Sequence, residues 1–384
     1  MPRVPRKLVI REDIVGVYHA WVRCVRRALL CGRDPLTGKN HEHRKTWLEN
    51  RLAELAQIFA IDACVFAILS NHFHLLLRNR PDLTAQWSDK EVMRRWWQLC
   101  PGRRDQEGEP AEMTEAELKA WLADPERVAQ CRAKLSSISC FMKHLNEWLA
   151  KRANSEDDVS GHFFEGRFGC KSLLDEGAIL AAALYIDLNE IRAGMAATPE
   201  QSLHTSAYRR IVRRMRREMA ELGETSDEVA ALDDPADWLC PVDENACEVL
   251  LGPANVASVE ASRGLLAAAT GQAKDEEIAA VVNRADVRKR WRHGFLPMTI
   301  DEYLTVLDWT ARQVAPGKSG AMDASLPPIL ERLKLSPLLL VQMISNFDKW
   351  FSTAVGSVQR LIDEAARRGR KWLSGVGAMR TAKT

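Results

Sequence analysis

Two strand-like segments joined by a short polar turn constrain the fold of this chain more than any other feature. Residues 61–78, IDACVFAILSNHFHLLLR, are rich in β-branched and apolar residues on both sides of Ser70-Asn71. Such runs on either side of a turn predict a β-hairpin. In the second strand, His72 and His74 have the spacing that projects two side chains from one face, while Phe73 points into the opposite core.

The segments around this hairpin alternate between strand and helix patterns. Alternating polarity predicts a strand within residues 14–30, and helical spacing of apolar residues predicts a helix within 44–60. Residues 131–153 and 175–197 are strongly helical, and an aromatic, glycine-punctuated stretch at 161–174 separates them. This order predicts an α+β fold with one antiparallel sheet and helices on one of its faces.

Shifts in composition divide the chain into parts. We expect a first domain over residues 1–220, with a polar insertion of short helices at about 80–130. An acidic linker, 221–237, precedes helical patterns over 238–384, which we interpret as a separate, all-helical C-terminal region. Because residues beyond about 235 hold no recognisable catalytic set, we expect their deletion to leave the fold of 1–220 intact.

The composition excludes several classes of protein. Of the 384 residues, 46% are hydrophobic and 28% charged, which argues against a disordered, collagen-like or coiled-coil chain. The longest apolar run, Ala178–Ile186, is far shorter than the roughly 18 residues that a membrane span requires. Nine cysteines occur without CxxC spacing, which argues against a zinc ribbon. We therefore expect a cytoplasmic protein with no membrane partner.

The net charge of +2 conceals basic clusters. Residues 1–50 carry eleven bases and five acids, and further clusters occur at 209–217 and 288–292. Such clusters are typical of surfaces that contact nucleic acid phosphates. A solvated helix face gives the same pattern, so no single cluster decides between these interpretations.

Two pairs of polar residues offer chemistry. His72 and His74 would form half of a divalent-metal site, although a lone pair of this kind is also typical of hydrogen-bonded core histidines. Tyr185 and Asn189 lie four apart in a predicted helix and therefore share a face. A tyrosine hydroxyl can act as a nucleophile, and an asparagine carbonyl can be a third ligand. The segment His41–His43 repeats the histidine spacing, but in a polar loop, and we interpret it as structural.

Four segments with specific motifs follow one another along the chain, namely Val17-Tyr18-His19, Asn71-His72-Phe73-His74, GHFFEGRF at 161–168 and YIDLNEIRAG at 185–194. In this order they resemble the motifs of the REP-associated tyrosine transposases, a branch of the HUH single-strand DNA transposases that use one catalytic tyrosine. The resemblance covers about residues 5–215 and includes Ser206-Ala207-Tyr208. Glu190 stands where that family usually has proline, and the insertion at 80–130 is longer than in short members.

The resemblance implies a ferredoxin-like HUH transposase domain and a role for each residue. His72, His74 and Asn189 would hold Mg²⁺ or Mn²⁺, completed by water and phosphate oxygens. Tyr185 would form a 5′-phosphotyrosine bond and release a 3′-hydroxyl. The implied substrate is single-stranded or hairpin DNA of REP-type repeats, which would place the protein at the nucleoid. Candidates for DNA binding are Arg23, Arg26, Arg27, His162, Arg167, Arg209, Arg210 and Arg213.

Other functions stay open at this point. A DNA-binding protein of the same fold that does not cut is one, although an intact set of Tyr185, His72, His74 and Asn189 argues against it. A relaxase or replication initiator is another, and an unrelated metal hydrolase is a third. A homodimer and a monomer are equally compatible with the sequence.

The transposase hypothesis has a direct structural consequence. His72 and His74 should lie on a middle strand of the sheet, with their imidazoles facing Asn189 within metal-bridging reach. A placement on opposite faces of the sheet would contradict the proposed site.

Overall fold

A five-stranded mixed sheet lies at the centre of the computed structural model of the protein, which describes residues 4–25, 30–35, 37–106, 108–221, 238–242, 294–314, 327, 330 and 335–382. The strands are β1 (Gly16–Arg23), β2 (Ile61–Ile68), β3 (His72–Asn79), β4 (Gly169–Leu173) and β5 (Ala354–Val355). Their order is β2-β3-β1-β4-β5. The first four are antiparallel to their neighbours, and β5 runs parallel to β4, so the sheet is not purely antiparallel.

The hairpin predicted at residues 61–78 is confirmed as β2 and β3. The backbone N–H of Leu69 donates to the carbonyl of His72 and closes the turn at 2.9 Å. Because β3 lies between β2 and β1, both histidines of the motif are on an interior strand, as predicted.

Helices connect these strands and cover them. In chain order they are α1 (Arg6–Val9), α2 (His43–Ile58), α3 (Pro81–Gln86), α4 (Asp89–Leu99), α5 (Glu115–Leu122), α6 (Pro125–Leu135), α7 (Ile138–Asp157), α8 (Glu176–Asp187), α9 (Asn189–Arg192), α10 (Ser206–Glu221), α11 (Ile300–Val314), α12 (Pro337–Ser345), α13 (Phe347–Trp350), α14 (Val358–Arg367) and α15 (Val376–Thr381). A 3₁₀ turn spans Pro199–Gln201. Among the residues that the structure describes, no helix combines the length and apolar character needed to cross a membrane.

Serine and aspartate side chains decide where two of these helices begin. The helix predicted over residues 131–153 is in fact two helices, α6 and α7, because Ser137 caps a new N-terminus by accepting a hydrogen bond from the N–H of Cys140. Asp175 caps α8 in the same way, through the N–H of Ala178.

Strands β1–β4 and helices α2 and α7 follow one another along the chain in the order β-α-β-β-α-β, with α3–α6 inserted after β3.

Apolar side chains lie on both faces of the sheet, and helices cover both. Tyr18, Ala20 and Val22 of β1 pack in a cluster with α2, α4 and α7. Val17, on the opposite face, packs in a cluster with α8 and the C-terminal helices. The prediction of helices on one face is therefore corrected. The physical reason for a cover on both faces is visible in β3, where residues 75–77 are all buried leucines. Because successive side chains of a strand point to opposite faces, both faces of the sheet are apolar here and each needs a cover.

The C-terminal residues share a core with α8. Every residue of α8 from Gly177 to Asp187 is buried, and a helix that is apolar all round must be enclosed. Leu340 of α12 and Phe347 of α13 belong to the same cluster, and β5 extends the sheet beside β4. The prediction of a separate, all-helical region is therefore corrected, because this part of the chain shares a core with α8 and contributes the strand β5. Apart from Glu221, the predicted linker lies outside the described residues, as do residues 243–293.

A buried carboxylate fixes the end of α8. Asp187 accepts hydrogen bonds from Ser206 Oγ at 2.5 Å, from the N–H of Ala207 at 3.0 Å and from the Tyr303 hydroxyl at 2.6 Å. Burial raises the pKa of Asp187, while the charge of Arg210 and these hydrogen bonds oppose the rise. The end of α8 is thus tied to both α10 and α11.

Replacing Leu340 with alanine should destabilise the whole protein, since the shared core would lose a side chain that is 0% exposed. We expect Leu340→Ala to lower the free energy of unfolding by about 2–5 kcal/mol. Leu338→Ala, on the same helix but at a side chain that is 48% exposed, should change it by less than about 0.5 kcal/mol. Urea unfolding followed by circular dichroism measures both. Equal, small effects would show that α12 is not part of the core.

Candidate active site

Ionisable side chains gather on the sheet face that α8 covers. In the register of the sheet, Trp21 of β1 lies opposite His74 of β3, and His19 lies opposite Lys171 of β4. Residues opposite each other, and alternate residues of one strand, share a face. His72, two residues before His74, therefore joins this group. The prediction that both motif histidines share a face is confirmed.

Three imidazoles form a chain across β1 and β3. His19 Nε2 and His74 Nδ1 are 2.9 Å apart, in a hydrogen bond for which either ring can be the donor. The ring of His72 lies 5.0 Å from that of His74. His72 Nδ1 is 2.7 Å from Asn71 Oδ1. In the tautomer that carries the proton on Nδ1, His72 donates to this oxygen and its lone pair is on Nε2, which is the form that a metal ligand needs there.

Burial keeps these imidazoles neutral. It lowers the pKa of His19 well below the usual value, and the Lys171 ammonium lowers it further. Burial likewise lowers the pKa of His74, with contributions from the two neighbouring histidines. Burial and the charge of Arg23 together lower the pKa of His72 to about 4. A neutral imidazole is the form that binds a metal ion.

The ring of Tyr185, on α8, lies directly against the histidines. Its centroid is 5.7 Å from that of His74 and 5.8 Å from that of His19. Phe347 of α13 stacks on it at 4.6 Å, and the Arg192 guanidinium lies 4.7 Å from its centroid. The phenol is therefore packed rigidly beside the imidazoles, which is the pre-positioning that a nucleophile needs.

A carboxylate from the C-terminal part of the chain holds the Tyr185 hydroxyl. The hydroxyl donates to Asp348 Oδ2 at 2.6 Å, and Lys171 Nζ donates to Oδ1 of the same carboxylate at 2.7 Å. The Lys171 side chain is 3% exposed, whereas that of Asp348 is 62% exposed. Asp348 therefore bridges a buried ammonium, the phenol and the solvent.

These contacts set the protonation states around Tyr185. Burial raises the pKa of Tyr185, and the charge of Asp348 and the hydrogen bond to it raise it further, against smaller opposing effects of Arg192 and Asn189. Burial would raise the pKa of Asp348 too, but the Lys171 ammonium and the hydrogen bonds hold it below its usual value. At neutral pH the pair is thus a phenol and a carboxylate. Attack by Tyr185 requires surroundings that favour the phenolate.

Asn189 begins α9 directly after the end of α8 and lies close enough to the phenol to lower the pKa of Tyr185. It is buried, and its side-chain amide lies beside the phenol. Glu190, the departure from the family pattern, lies with its carboxylate 4.0 Å from the Lys45 ammonium.

Sequence reasoning missed His19, Lys171 and Asp348. The sequence did hold a signal for the first two. His19 is part of the first motif, and Lys171 closely follows the third. Each lies in a strand, where the alternation of side chains determines which face of the sheet a residue is on. Asp348 carries no motif and follows Tyr185 by more than a third of the chain. Its place in the site is a product of tertiary packing alone.

Three of the predicted DNA-binding residues are exposed near the site strands. Arg23 is the last residue of β1 and lies opposite His72. His162 and Arg167 are exposed in the segment between α7 and β4. Arg26 and Arg27 lie outside the described residues.

The arginines of α10 have partners within the fold. Arg209 makes two hydrogen bonds with the carboxylate of Glu49. Arg210 is buried and donates to the carbonyls of Cys64 and Cys240. These contacts give both arginines a role in stability. Arg213 is partly buried on the same helix.

A second group of potential metal ligands joins the start of α2 to the end of α7. The ligand atoms of His41, Glu156 and Asp157 lie within 4.8 Å of one another. The Arg44 guanidinium pairs with both carboxylates, and His43 Nε2 lies 2.6 Å from Glu156. The Arg44 guanidinium and the His43 ring therefore already pair with these carboxylates, in agreement with the interpretation of the His41–His43 segment as structural or surface.

Comparison with known proteins adds no relative to this picture. No family model matches the chain, and neither does any curated protein or solved structure. The resemblance to the tyrosine transposases therefore stands on the four sequence motifs and on the chemistry of the residues that the fold brings together.

Acidification should destabilise the protein through His72. Its pKa is about 4 in the folded protein and about 6.5 in an unfolded chain, so between these values the unfolded state binds more protons and stability falls as the pH falls. Urea unfolding in chelator at pH 6.5, 5.5 and 4.5 measures the slope. The slope of His72→Gln should be smaller by about 1 kcal/mol per pH unit. Equal slopes would contradict a buried, neutral imidazole.

Proposed function

We propose that the protein is a transposase that cleaves and rejoins single-stranded DNA through a 5′-phosphotyrosine intermediate on Tyr185. The observation that carries this proposal is the packing of one buried tyrosine against neutral, strand-borne histidines at 5.7 Å between the rings of Tyr185 and His74. His19, the pair His72 and His74, and Tyr185 come from three different motifs of the resemblance. Their co-location is what the mechanism needs and what an unrelated set of motifs would not produce.

The topology agrees with this proposal. The order β-α-β-β-α-β, with sheet order β2-β3-β1-β4, is consistent with a ferredoxin-like domain. In a transposase domain of that kind we expect the histidine pair on an interior strand. β3 meets that requirement, and β5 and the C-terminal helices would be additions of this chain.

The donor set suits a divalent metal ion. The low pKa values of both motif histidines keep them neutral, and the tautomer of His72 with its proton on Nδ1 would offer a lone pair on Nε2. Asn189, which lies beside the phenol, would add a carbonyl oxygen. Mg²⁺ or Mn²⁺ with water and phosphate oxygens would complete this set. When bound, such an ion supplies Lewis-acid polarisation of the scissile phosphate.

The chain's own residues would carry the covalent step. The phenol oxygen of Tyr185 attacks phosphorus, the bond from phosphorus to the 3′-oxygen breaks, and the phenol proton is released. The departing 3′-oxygen takes up a proton and becomes a 3′-hydroxyl, while the 5′ side stays on Tyr185. Because a phosphodiester is conserved, a second 3′-hydroxyl can reverse the step on another strand without ATP.

One observation favours a second candidate, a DNA-binding protein of the same fold that does not cut. The Tyr185 hydroxyl is engaged by Asp348, and burial with this contact raises the pKa of the phenol. A permanent contact of this kind would disable the nucleophile. The two candidates differ in whether a covalent protein–DNA adduct forms.

Tyr185→Phe should abolish the adduct and strand transfer while DNA affinity stays near normal, because the substitution removes only the attacking oxygen. A denaturing gel with labelled hairpin oligonucleotides from the DNA that flanks the gene detects the adduct, and fluorescence anisotropy measures binding. Tyr208→Phe is the control and should still form the adduct. An active Tyr185 variant with an inactive Tyr208 variant would assign the nucleophile to α10.

His72→Ala should lower cleavage by at least about 100-fold and leave hairpin binding largely unchanged, since the metal serves the chemistry and phosphate contacts dominate affinity. His43→Ala is the matched control, because His43 pairs with Glu156 outside the site. Cleavage rates with Mg²⁺ or Mn²⁺ and with chelator measure the effect. Full activity of wild type in chelator would contradict the metal role.

A further inference from the structure

The carboxylate of Asp348 lies where a substrate phosphate would have to be. One of its oxygens accepts from the Tyr185 hydroxyl and the other from Lys171 Nζ. A phosphodiester also presents two anionic oxygens on one centre, and for in-line attack that centre must come into contact with the same hydroxyl. Asp348 therefore occupies, in chemical terms, the position of an anion that the proposed reaction requires.

Lys171 is fixed, whereas Asp348 is free to leave. The lysine is on β4, where the N–H of the next residue, Ser172, donates a hydrogen bond to the carbonyl of Thr353 at 3.0 Å. The Lys171 ammonium lies 4.6 Å from the Phe347 ring centroid. Its side chain is almost fully buried, and a buried ammonium needs an anionic partner. The Asp348 side chain is mostly exposed, so water can receive its carboxylate when it turns away.

The carboxylate is a poor candidate for a general base. Lys171 and the hydrogen bonds hold the pKa of Asp348 low, and the same contact raises the pKa of Tyr185. Proton transfer from this phenol to this carboxylate is therefore strongly uphill. A negative charge at this place would also repel the incoming phosphate. Cleavage is helped by the departure of Asp348, not by its presence.

We propose that Lys171 is a phosphate-binding residue of the active site, and that Asp348 is an anionic occupant which the scissile phosphate of single-stranded DNA displaces. This inference rests on the proposed function and names a further residue that touches the substrate. Displacement frees the Tyr185 hydroxyl and transfers the Lys171 ammonium from a carboxylate to a phosphodiester. The exchange replaces one anion by another at the Lys171 ammonium, and no covalent bond forms or breaks in it.

The test uses the full-length protein with Asp348→Asn, which keeps the shape of the side chain and removes its charge. In chelator, its affinity for fluorescein-labelled hairpin oligonucleotides should rise by about tenfold, and with Mg²⁺ its adduct should form several-fold faster than that of wild type. Asp363→Asn is the matched control, since it removes a carboxylate of the same C-terminal part that is exposed and bonded to Gln359. It should change either quantity by less than about twofold.

Lys171→Met removes the ammonium and keeps an unbranched side chain. It should weaken oligonucleotide binding and reduce the slope of log affinity against log salt by about 1, which a merely structural role would not do. Lys171→Arg keeps the charge and should restore the slope. Thermal unfolding shows whether each variant is folded, and if Lys171→Met is not, the Asp348→Asn and Lys171→Arg results decide.

Each outcome is decisive. Slower adduct formation by Asp348→Asn with unchanged affinity would make Asp348 a base or a positioning residue and overturn the proposal. Unchanged rate and affinity would overturn it as well. If wild type forms no adduct with any oligonucleotide, the proposed transposase function fails, while the changes in affinity and salt slope still test whether Lys171 binds phosphate.

Discussion

One buried carboxylate holds together the parts on which the candidate site depends. Asp187 ends α8 and accepts hydrogen bonds from Ser206 and Ala207 of α10 and from Tyr303 of α11. Removing donors from a carboxylate at this depth leaves a charge that costs several kcal/mol. Tyr185 lies two residues before Asp187, and it packs over the sheet because these hydrogen bonds fix the end of α8. The position of Tyr185 is thus a consequence of contacts made two residues further along the chain, at the end of α8.

The second consequence of this arrangement is that the C-terminal part of the chain has two roles. It encloses α8, whose apolar surface has no exposed side, and it brings Phe347 and Asp348 against Tyr185. The stacking ring stabilises the phenol's orientation, while the adjacent carboxylate opposes its ionisation. Two neighbouring residues therefore act differently on Tyr185, since Phe347 holds its ring in place and Asp348 raises the pKa of its hydroxyl.

Local patterns in the sequence predict the parts of the structure that depend on short-range periodicity. The hairpin follows from its strand-like runs, the shared face of His72 and His74 from their spacing, and the proximity of Tyr185 to Asn189 from helix geometry. The cover on the second face was not predictable in this way. It depends on packing between α8 and helices more than a hundred residues later, and no spacing rule links them.

The same distinction explains the individual residues that sequence reasoning misjudged. Arg210 belongs to a basic cluster that is typical of a DNA-binding helix, yet its guanidinium bonds to carbonyls of residues on β2 and beyond α10. Lys171 and Asp348 pair across 177 positions of the chain. Charge alone does not reveal which cationic side chains are buried or what they bond to, because both depend on tertiary packing.

Mass spectrometry of the trypsin-digested reaction mixture shows directly whether DNA becomes attached to Tyr185. Cleavage after Lys171 and Arg192 yields the peptide 172–192, whose only tyrosine is Tyr185, while Tyr208 falls in the next peptide, 193–209. After incubation with hairpin oligonucleotides, Mg²⁺ and a nuclease digestion of the attached DNA, the account predicts a 5′-linked nucleotide on Tyr185 in peptide 172–192. The same nucleotide on another peptide, or unmodified peptides beside cut DNA with free 5′-phosphates, would contradict it.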